Sequence, residues 1–401
     1  MNKYINFNEP EYYTNVQVAD IDGDGKKELI TIDKNGINVW KYNNKEENLQ
    51  QISNQSIEFL GGDYWNEEKY YKTIKIGDID NDKKAEMISR SFYGIQTYKY
   101  ISNKWEKICD GPLWSDNAGW FKESCYDTIR LVDIDGDNSC ELVGKSPTEI
   151  EVYKYNIKKH EWNKLSNIPL WTTEERFGDR CYFRTINFAD IDGDNAKEFI
   201  ARSTLSMEVY KYNKDSDKWL KLEKGPLWSD ANYWSYPYYY ETICVGDIDG
   251  DDAHELIGRW KNGIQVYKYN PSSNLWIKLS SGGFWTDNEN WKYHYYYRTI
   301  CVGDIDGDEV DELIGRGPMG IEIYKYNTII QQWMKISNGQ LWSDKEGYKS
   351  PTYYKTIQLA DVDNDNIMEI IGRENNSLVI YKYNVLKKTW KKISTIIVTC
   401  A

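Results

Sequence analysis

One unit is written seven times along this chain, and that repetition constrains its fold more than any other feature. The pattern Asp-x-Asp-Gly/Asn-Asp-x-x-x-Glu begins at Asp20, Asp78, Asp133, Asp190, Asp247, Asp304 and Asp361, in steps of 58, 55, 57, 57, 57 and 57 residues. Trp105, Trp162, Trp219, Trp276, Trp333 and Trp390 follow at a constant 57, and Tyr-Lys-Tyr recurs from Tyr98 to Tyr381 in the same register. A period of this length belongs to an array in which each unit buries its apolar surface against its neighbours.

Within a unit the apolar residues alternate with period two. Residues 242–247, 255–259, 263–269 and 275–279 read as four short strands separated by Gly- and Asn-containing turns, and no segment sustains helical spacing. Four strands repeated seven times predict an all-β fold, a seven-bladed β-propeller with four antiparallel strands per blade, because radial closure protects edges that an open stack would expose. The whole of residues 1–401 is then one domain, with blades at approximately 8–58, 59–113, 114–170, 171–227, 228–284, 285–341 and 342–401. Closure is expected by apposition of the first and last blades, with residues 1–7 or 396–401 available as an added edge strand.

The acidic motif is the chemical signature. Three aspartates at alternate positions and a glutamate at position nine set four carboxylates around one tight loop, with the position-seven carbonyl as a further donor. The candidate sets are Asp20, Asp22, Asp24, Lys26 and Glu28; Asp78, Asp80, Asp82, Lys84 and Glu86; Asp133, Asp135, Asp137, Ser139 and Glu141; and Asp190, Asp192, Asp194, Ala196 and Glu198. The remaining three are Asp247, Asp249, Asp251, Ala253 and Glu255; Asp304, Asp306, Asp308, Val310 and Glu312; and Asp361, Asp363, Asp365, Ile367 and Glu369. Hard oxygen donors in this number suit Ca²⁺, up to seven ions per chain. Position four is Gly23, Asn81, Gly136, Gly193, Gly250, Gly307 or Asn364, residue types that tolerate a left-handed backbone. The glutamate at nine opens a strand, so the loop is not an EF-hand, which needs its glutamate at twelve. Seven divalent ions would carry the formal charge from −13 to +1.

These motifs resemble the FG-GAP or VCBS-type repeat of integrin α-subunit propellers and of secreted bacterial and fungal propellers, over essentially the whole chain. The resemblance implies Ca²⁺ in the loop joining the first two strands of each blade. The Phe-Gly-Gly-Ala-Pro element itself is absent, Ile-Gly-Arg or a near variant standing after the acidic loop. A looser likeness is to fungal seven-bladed propeller lectins, which pair an aromatic Gly-Trp segment with an Asp-containing hairpin.

The long loops between units must lie on the face opposite the acidic loops. They carry Leu-Trp-Ser-Asp-type segments, and their second aromatic stands thirteen residues before each acidic motif: Phe7, Trp65, Trp120, Phe177, Trp234, Trp291 and Tyr348. Aromatic plates beside Asp and Arg suit sugar rings, so Trp114, Asp116, Trp120, Trp228, Asp230, Trp234, Trp285, Asp287, Trp291, Arg259 and Arg316 are the candidate ligand residues. Trp packing and Asp capping also serve simply to order a long loop.

The expected function is a calcium-stabilised, lectin-like or adhesion propeller with several equivalent sites. The alternatives are a protein-interaction propeller and a polysaccharide lyase or hydrolase centred near His294. No nucleophile elbow, metal-hydrolase or phosphate-loop motif is present, and no catalytic residue is assigned. A net charge of −13 excludes a phosphate-tracking nucleic-acid binder, and no apolar run is long enough to span a membrane. The seven cysteines show no disulfide framework. A monomer is expected, acting outside the cell where Ca²⁺ is abundant; residues 1–12 lack an apolar leader core, which leaves the export route open.

Overall fold

The computed structural model describes residues 15–33, 36–56, 67–168, 177–222, 224–337 and 339–397. Its strands form seven four-stranded antiparallel sheets, each from four strands consecutive in sequence, arranged in a ring. In blade five the strands are Cys244–Gly246, Glu255–Trp260, Gly263–Asn270 and Leu275–Gly282. Their register pairs Gly246 with Glu255, Leu256 with Tyr267 and Tyr269 with Trp276. First strands of successive blades touch around the axis, and the ring closes where blade seven meets blade one. There the Lys27 amide donates to Asn364 Oδ1 at 2.6 Å and Asn364 Nδ2 donates to the Lys27 carbonyl at 3.1 Å. The last strand, Thr389–Ile397, pairs only within its own blade, so the described part of the chain closes by apposition.

Alternation along the buried second strand builds the core. Leu256 joins the cluster shared with blade four, including Ile191 and Ile200, while Ile257 joins Trp285, Trp291 and Leu313 on the blade-six side. Period two thus sends adjacent residues into two different inter-blade cores, and each fully buried Leu or Ile contributes about 1.5–3 kcal/mol. One element was not legible as a pattern: a single helical turn precedes the first strand, as at His294–Tyr297 and Pro351–Tyr354. Four residues are too few to display helical periodicity. A buried threonine follows each turn, and Thr299 Oγ1 donates to the Tyr296 carbonyl at 2.7 Å while accepting the Arg316 amide at 2.8 Å.

The long loops are pinned by stacked indoles. Trp114 lies on Trp120 at 4.0 Å, Trp228 on Trp234 at 4.4 Å and Trp285 on Trp291 at 4.6 Å between ring centroids. Each pair covers a glycine of the second strand below it, Gly144, Gly258 or Gly315. A Cβ on Gly315 would stand 2.9 Å from both Trp285 Cζ2 and Trp291 Cη2, in a core with no slack. Gly315→Ala is therefore expected to destabilise the protein by about 1–3 kcal/mol, the usual cost of overpacking. Gly283→Ala, where nothing lies within 4 Å of the new methyl, should leave the denaturation midpoint in place. Equal midpoints for both variants would show that the indole pair does not press on the strand.

Candidate functional site

Every acidic loop turns as its sequence requires: position four is left-handed in all seven, with φ from 58° at Asn81 to 82° at Gly307. Position nine then opens the second strand, and its side chain is fully buried in Glu28, Glu86, Glu141, Glu255, Glu312 and Glu369 and 1% exposed in Glu198. The antiparallel register sets a lysine directly across from it. Leu256 pairs with Tyr267, so Glu255 faces Lys268 on the same side of the sheet. That lysine is the centre of Tyr-Lys-Tyr, or of Trp40-Lys41-Tyr42 in blade one, and it recurs as Lys41, Lys99, Lys154, Lys211, Lys268, Lys325 and Lys382, always 21 residues after the first aspartate.

Each ammonium sits where three carboxylates converge. Lys41 Nζ lies 2.8 Å from Asp22, 2.7 Å from Asp24 and 2.8 Å from Glu28. Lys154 lies 2.8, 2.7 and 2.7 Å from Asp135, Asp137 and Glu141, and Lys325 lies 2.7, 2.7 and 2.9 Å from Asp306, Asp308 and Glu312. Lys99 holds Asp80, Asp82 and Glu86, Lys211 holds Asp192, Asp194 and Glu198, and Lys382 holds Asp363, Asp365 and Glu369. In blade five Lys268 completes the set with Asp249, Asp251 and Glu255. In every blade but the third the Glu Oε1 contact is ionic rather than an aligned hydrogen bond, although it is as short as 2.6 Å at Glu86. Burial pushes Glu86, Glu141 and Glu369 up to about 7 and Glu198, Glu255 and Glu312 up to about 8, against the pull of the lysine. Burial opposes the Lys325 charge too, but the carboxylates around it outweigh that and hold its pKa above the ordinary lysine range.

The rest of the donor set is committed to the loop itself. In six blades the first aspartate accepts at least two backbone amides; Asp304 takes Gly307 N at 2.6 Å and Glu309 N at 2.8 Å, and Asp20, Asp78, Asp133, Asp190 and Asp247 repeat this. Position seven was expected to offer a carbonyl. The contact observed is its amide, since Lys26, Lys84, Ser139, Ala196, Ala253, Val310 and Ile367 each donate N–H to the aspartate two residues before. An ammonium brings three N–H donors to three carboxylates, whereas Ca²⁺ requires six to eight oxygens and the same central space. The carboxylates have the spacing of a metal site, with ligand atoms within 4.8 Å of one another in sets such as Asp133, Asp135 and Glu141, and Ca²⁺ there would take the place of the ammonium. The lysine was visible in the sequence as a cation in fixed step with the acidic motif, but its role depends on strand register.

On the opposite face the candidate ligand residues are structural. Trp114, Trp120, Trp228, Trp234 and Trp291 are 2% exposed and Trp285 is 1% exposed, so these indoles offer no plate to a solute. Their Nε1 groups are directed inward as well, Trp114 to Glu151 at 2.9 Å and Trp285 to Glu322 at 2.9 Å. Asp116, Asp230 and Asp287 bind the buried arginine of the preceding blade: Arg90 at 2.7 Å, Arg202 at 2.7 Å and Arg259 at 2.8 Å. Arg316 repeats the contact with Asp344 at 2.8 Å. The second oxygen of each aspartate accepts a tyrosine hydroxyl, from Tyr70, Tyr182, Tyr239 and Tyr296. Arg, Asp and Tyr therefore staple each blade to the loop entering the next. Phe7, Trp65 and residues 169–176 lie outside the described residues.

An open groove lies beside the long loop of blade seven. In blade six Phe284 stacks on Tyr324 at 3.7 Å. In blade seven Leu341, the residue type that Leu113 and Leu227 also place there, takes the position of Phe284 beside Tyr381, Tyr348 replaces the tryptophan, and a groove of about 620 Å³ is lined also by Glu346, Tyr353, Glu374 and Asn375. Exposed tyrosines form short stacks nearby on the loops, Tyr236 with Tyr238 at 5.3 Å and Tyr293 with Tyr295 at 5.4 Å. His294 Nδ1 is hydrogen-bonded to Tyr354 Oη at 2.9 Å, and burial, aided by Arg298, lowers its pKa.

The geometry agrees with what this chain is similar to. Residues 20–89 match the FG-GAP-like repeat family. No curated protein matches the chain. Among solved structures, an Agrocybe aegerita lectin that recognises non-reducing terminal N-acetylglucosamine superposes with a TM-score of 0.67 at 15% identity, over 84% of this chain and 83% of the lectin. A 6-phosphogluconolactonase-like protein from Bacteroides uniformis gives 0.53 at 9% identity, covering 96% of both chains. The periplasmic gluconolactonase of Pseudomonas aeruginosa gives 0.52 at 7%, over 96% of this chain and 95% of that one. At these identities the shared property is the propeller fold.

Replacing Lys325 by Met strands three carboxylates, one of them fully buried, and breaking such a pair costs about 3 kcal/mol. Wild type is expected to melt at one temperature with excess Ca²⁺ and with EGTA, whereas Lys325→Met melts lower and regains stability when Ca²⁺ is added. A wild-type melting temperature that climbs with Ca²⁺ would mean that the ion displaces the ammonium.

Proposed function

We propose that this protein is a carbohydrate-binding, lectin-like propeller whose ligands enter grooves on the face opposite the acidic loops. The observation that carries this reading is the blade-seven groove. Its volume of about 620 Å³ suits a mono- or disaccharide, and it combines the Tyr353 and Tyr381 rings with Glu346, Glu374 and Asn375. Sugars bind where an apolar ring face and hydroxyls can both be matched. The exposed tyrosine stacks supply further platforms, and the fold likeness to a lectin of terminal N-acetylglucosamine supports the same class of ligand. In this reading the cation at each acidic loop is the lysine ammonium, in place of the Ca²⁺ expected from the loop pattern, and the scaffold is rigid without added metal.

A second reading, a protein-docking face, is favoured by the apolar residues at the tips of hairpins and loops on that side. Leu113, Leu205, Leu227 and Met319 are all more than 60% exposed, and Phe92 and Tyr93 join them.

Leu341→Phe introduces the Phe–Tyr stack that Phe284 makes on Tyr324 and should fill the groove from its buried side. On a glycan array wild type is expected to retain a defined set of saccharides, Leu341→Phe to lose at least tenfold in signal for the groove ligand, and both to share one melting temperature. Saccharide binding unchanged in Leu341→Phe would move the site to the tyrosine stacks, which Tyr236→Ala then tests. An array blank for wild type would leave the docking face as the function.

A further inference from the structure

The axis of the ring carries a second concentration of polar groups, far from the acidic loops and distinct from the blade-seven groove. A cavity of about 630 Å³ opens where the helical turns converge, lined by Lys72, Arg130, Arg180, Arg184, Arg298 and Lys355 with Glu68, Asp127, Glu241 and Phe183. Six cations face three carboxylates in a chain whose overall charge is −13.

The carboxylates are already engaged. Glu241 holds Arg298 at 2.6 Å and Arg184 at 3.4 Å, Glu123 holds Arg180 at 2.6 Å and Arg184 at 2.5 Å, and Glu68 and Asp127 both serve Lys72. Two cations of the lining, Lys355 and Arg130, remain without a carboxylate salt bridge among the described residues, and Lys75, behind the lining, stands close enough to Arg130 to feel its charge. Lys355 and Lys75 make no ion pair or hydrogen bond there, and Arg130 spends Nη1 on the carbonyls of Asp127 and Ile129, both at 2.9 Å. Lys75 and Arg130 stand at equivalent positions on the first strands of adjacent blades, Lys75–Gly77 and Arg130–Val132. Round the ring the same position is Gln17, Asn187, Cys244, Cys301 or Gln358, all uncharged. The repeat is therefore broken at two neighbouring blades, and in both by a cation.

We propose that this axial cavity binds one small polyvalent oxyanion per chain, a phosphate-, sulfate- or carboxylate-bearing solute, held by Arg130, Lys75 and the cations of the rim. Two like charges side by side in a confined space repel strongly, and an anion between them turns that repulsion into two charge-assisted hydrogen bonds. The strain is visible on Lys75, whose pKa burial, and after it the charge of Arg130, brings down to about 7. Arginine is suited to the task because its free Nη2 and Nε can grip two oxygens of one oxyanion.

The test is calorimetric titration of the full chain with inorganic phosphate, sulfate and citrate at an ionic strength fixed by chloride. One saturable site per chain is expected, with affinity reduced at least tenfold in Arg130→Gln and in Lys75→Gln. Lys218→Gln, on an outer strand, serves as the control and should bind as wild type does. Circular dichroism and the melting temperature establish that each variant is folded; should one fail, the other together with the wild-type stoichiometry still decides. No saturable binding of any of the three anions by wild type overturns the proposal, as does equal weakening in Lys218→Gln, which would reduce it to general electrostatics. Binding by phosphate and sulfate but not citrate assigns a tetrahedral anion, and the reverse assigns a polycarboxylate.

Discussion

A buried glutamate facing a lysine across one strand pair is the interaction on which the blades depend. The glutamate opens the second strand, the most deeply buried of the four, and a carboxylate there without a partner would cost several kcal/mol. Cross-strand register brings the ammonium of Tyr-Lys-Tyr to it, and the same ammonium draws in two aspartates of the loop. The loop in turn reaches the adjacent blade: the Asp311 amide donates to the Asp247 carbonyl at 2.7 Å, and Cys140 to Asp78 and Met368 to Asp304 repeat the bond. One charge cluster thus sets the strand register, the turn and the blade-to-blade contact together.

The opposite face is built on the same logic with different residues. Arg259 is fully buried, and its charge is matched by Asp287 on the loop that enters blade six, with Tyr239 stacked against the guanidinium at 5.2 Å. Each arginine therefore performs for the long loops what each lysine performs for the short ones. The most repetitive aromatic and charged residues are consumed in this work, which is why they are poor markers of a binding site. A residue required by the fold in every blade is, for that reason, unavailable to a ligand.

The repeat lapses at a few positions. Phe284 stands where Leu113, Leu227 and Leu341 stand in other blades, Tyr348 lines a groove where blade six has Trp291, and Lys75 with Arg130 puts charge into an axial ring of otherwise neutral side chains at that position. These departures are single substitutions within an otherwise constant frame. They change the chemistry of one place and leave the packing of the ring as it was.

The sequence by itself determined the number of blades, the four strands of each, the two faces of the disc and the left-handed turn of every acidic loop. Each follows from local rules, period-two alternation, the backbone freedom of Gly and Asn, and a fixed repeat length. It also displayed the three aspartates and the glutamate, but read alone they suggested an ion. Only the tertiary structure brings an ammonium among them, because Lys325 is thirteen residues from Glu312 in the chain and reaches it solely through strand pairing. Burial was likewise invisible beforehand: Trp291 and Tyr293 are near neighbours in sequence, yet one is sealed under its loop and the other faces solvent. The direction a loop side chain takes is set by the strand it packs upon, and that contact is made between residues too far apart in the chain for any local pattern to record.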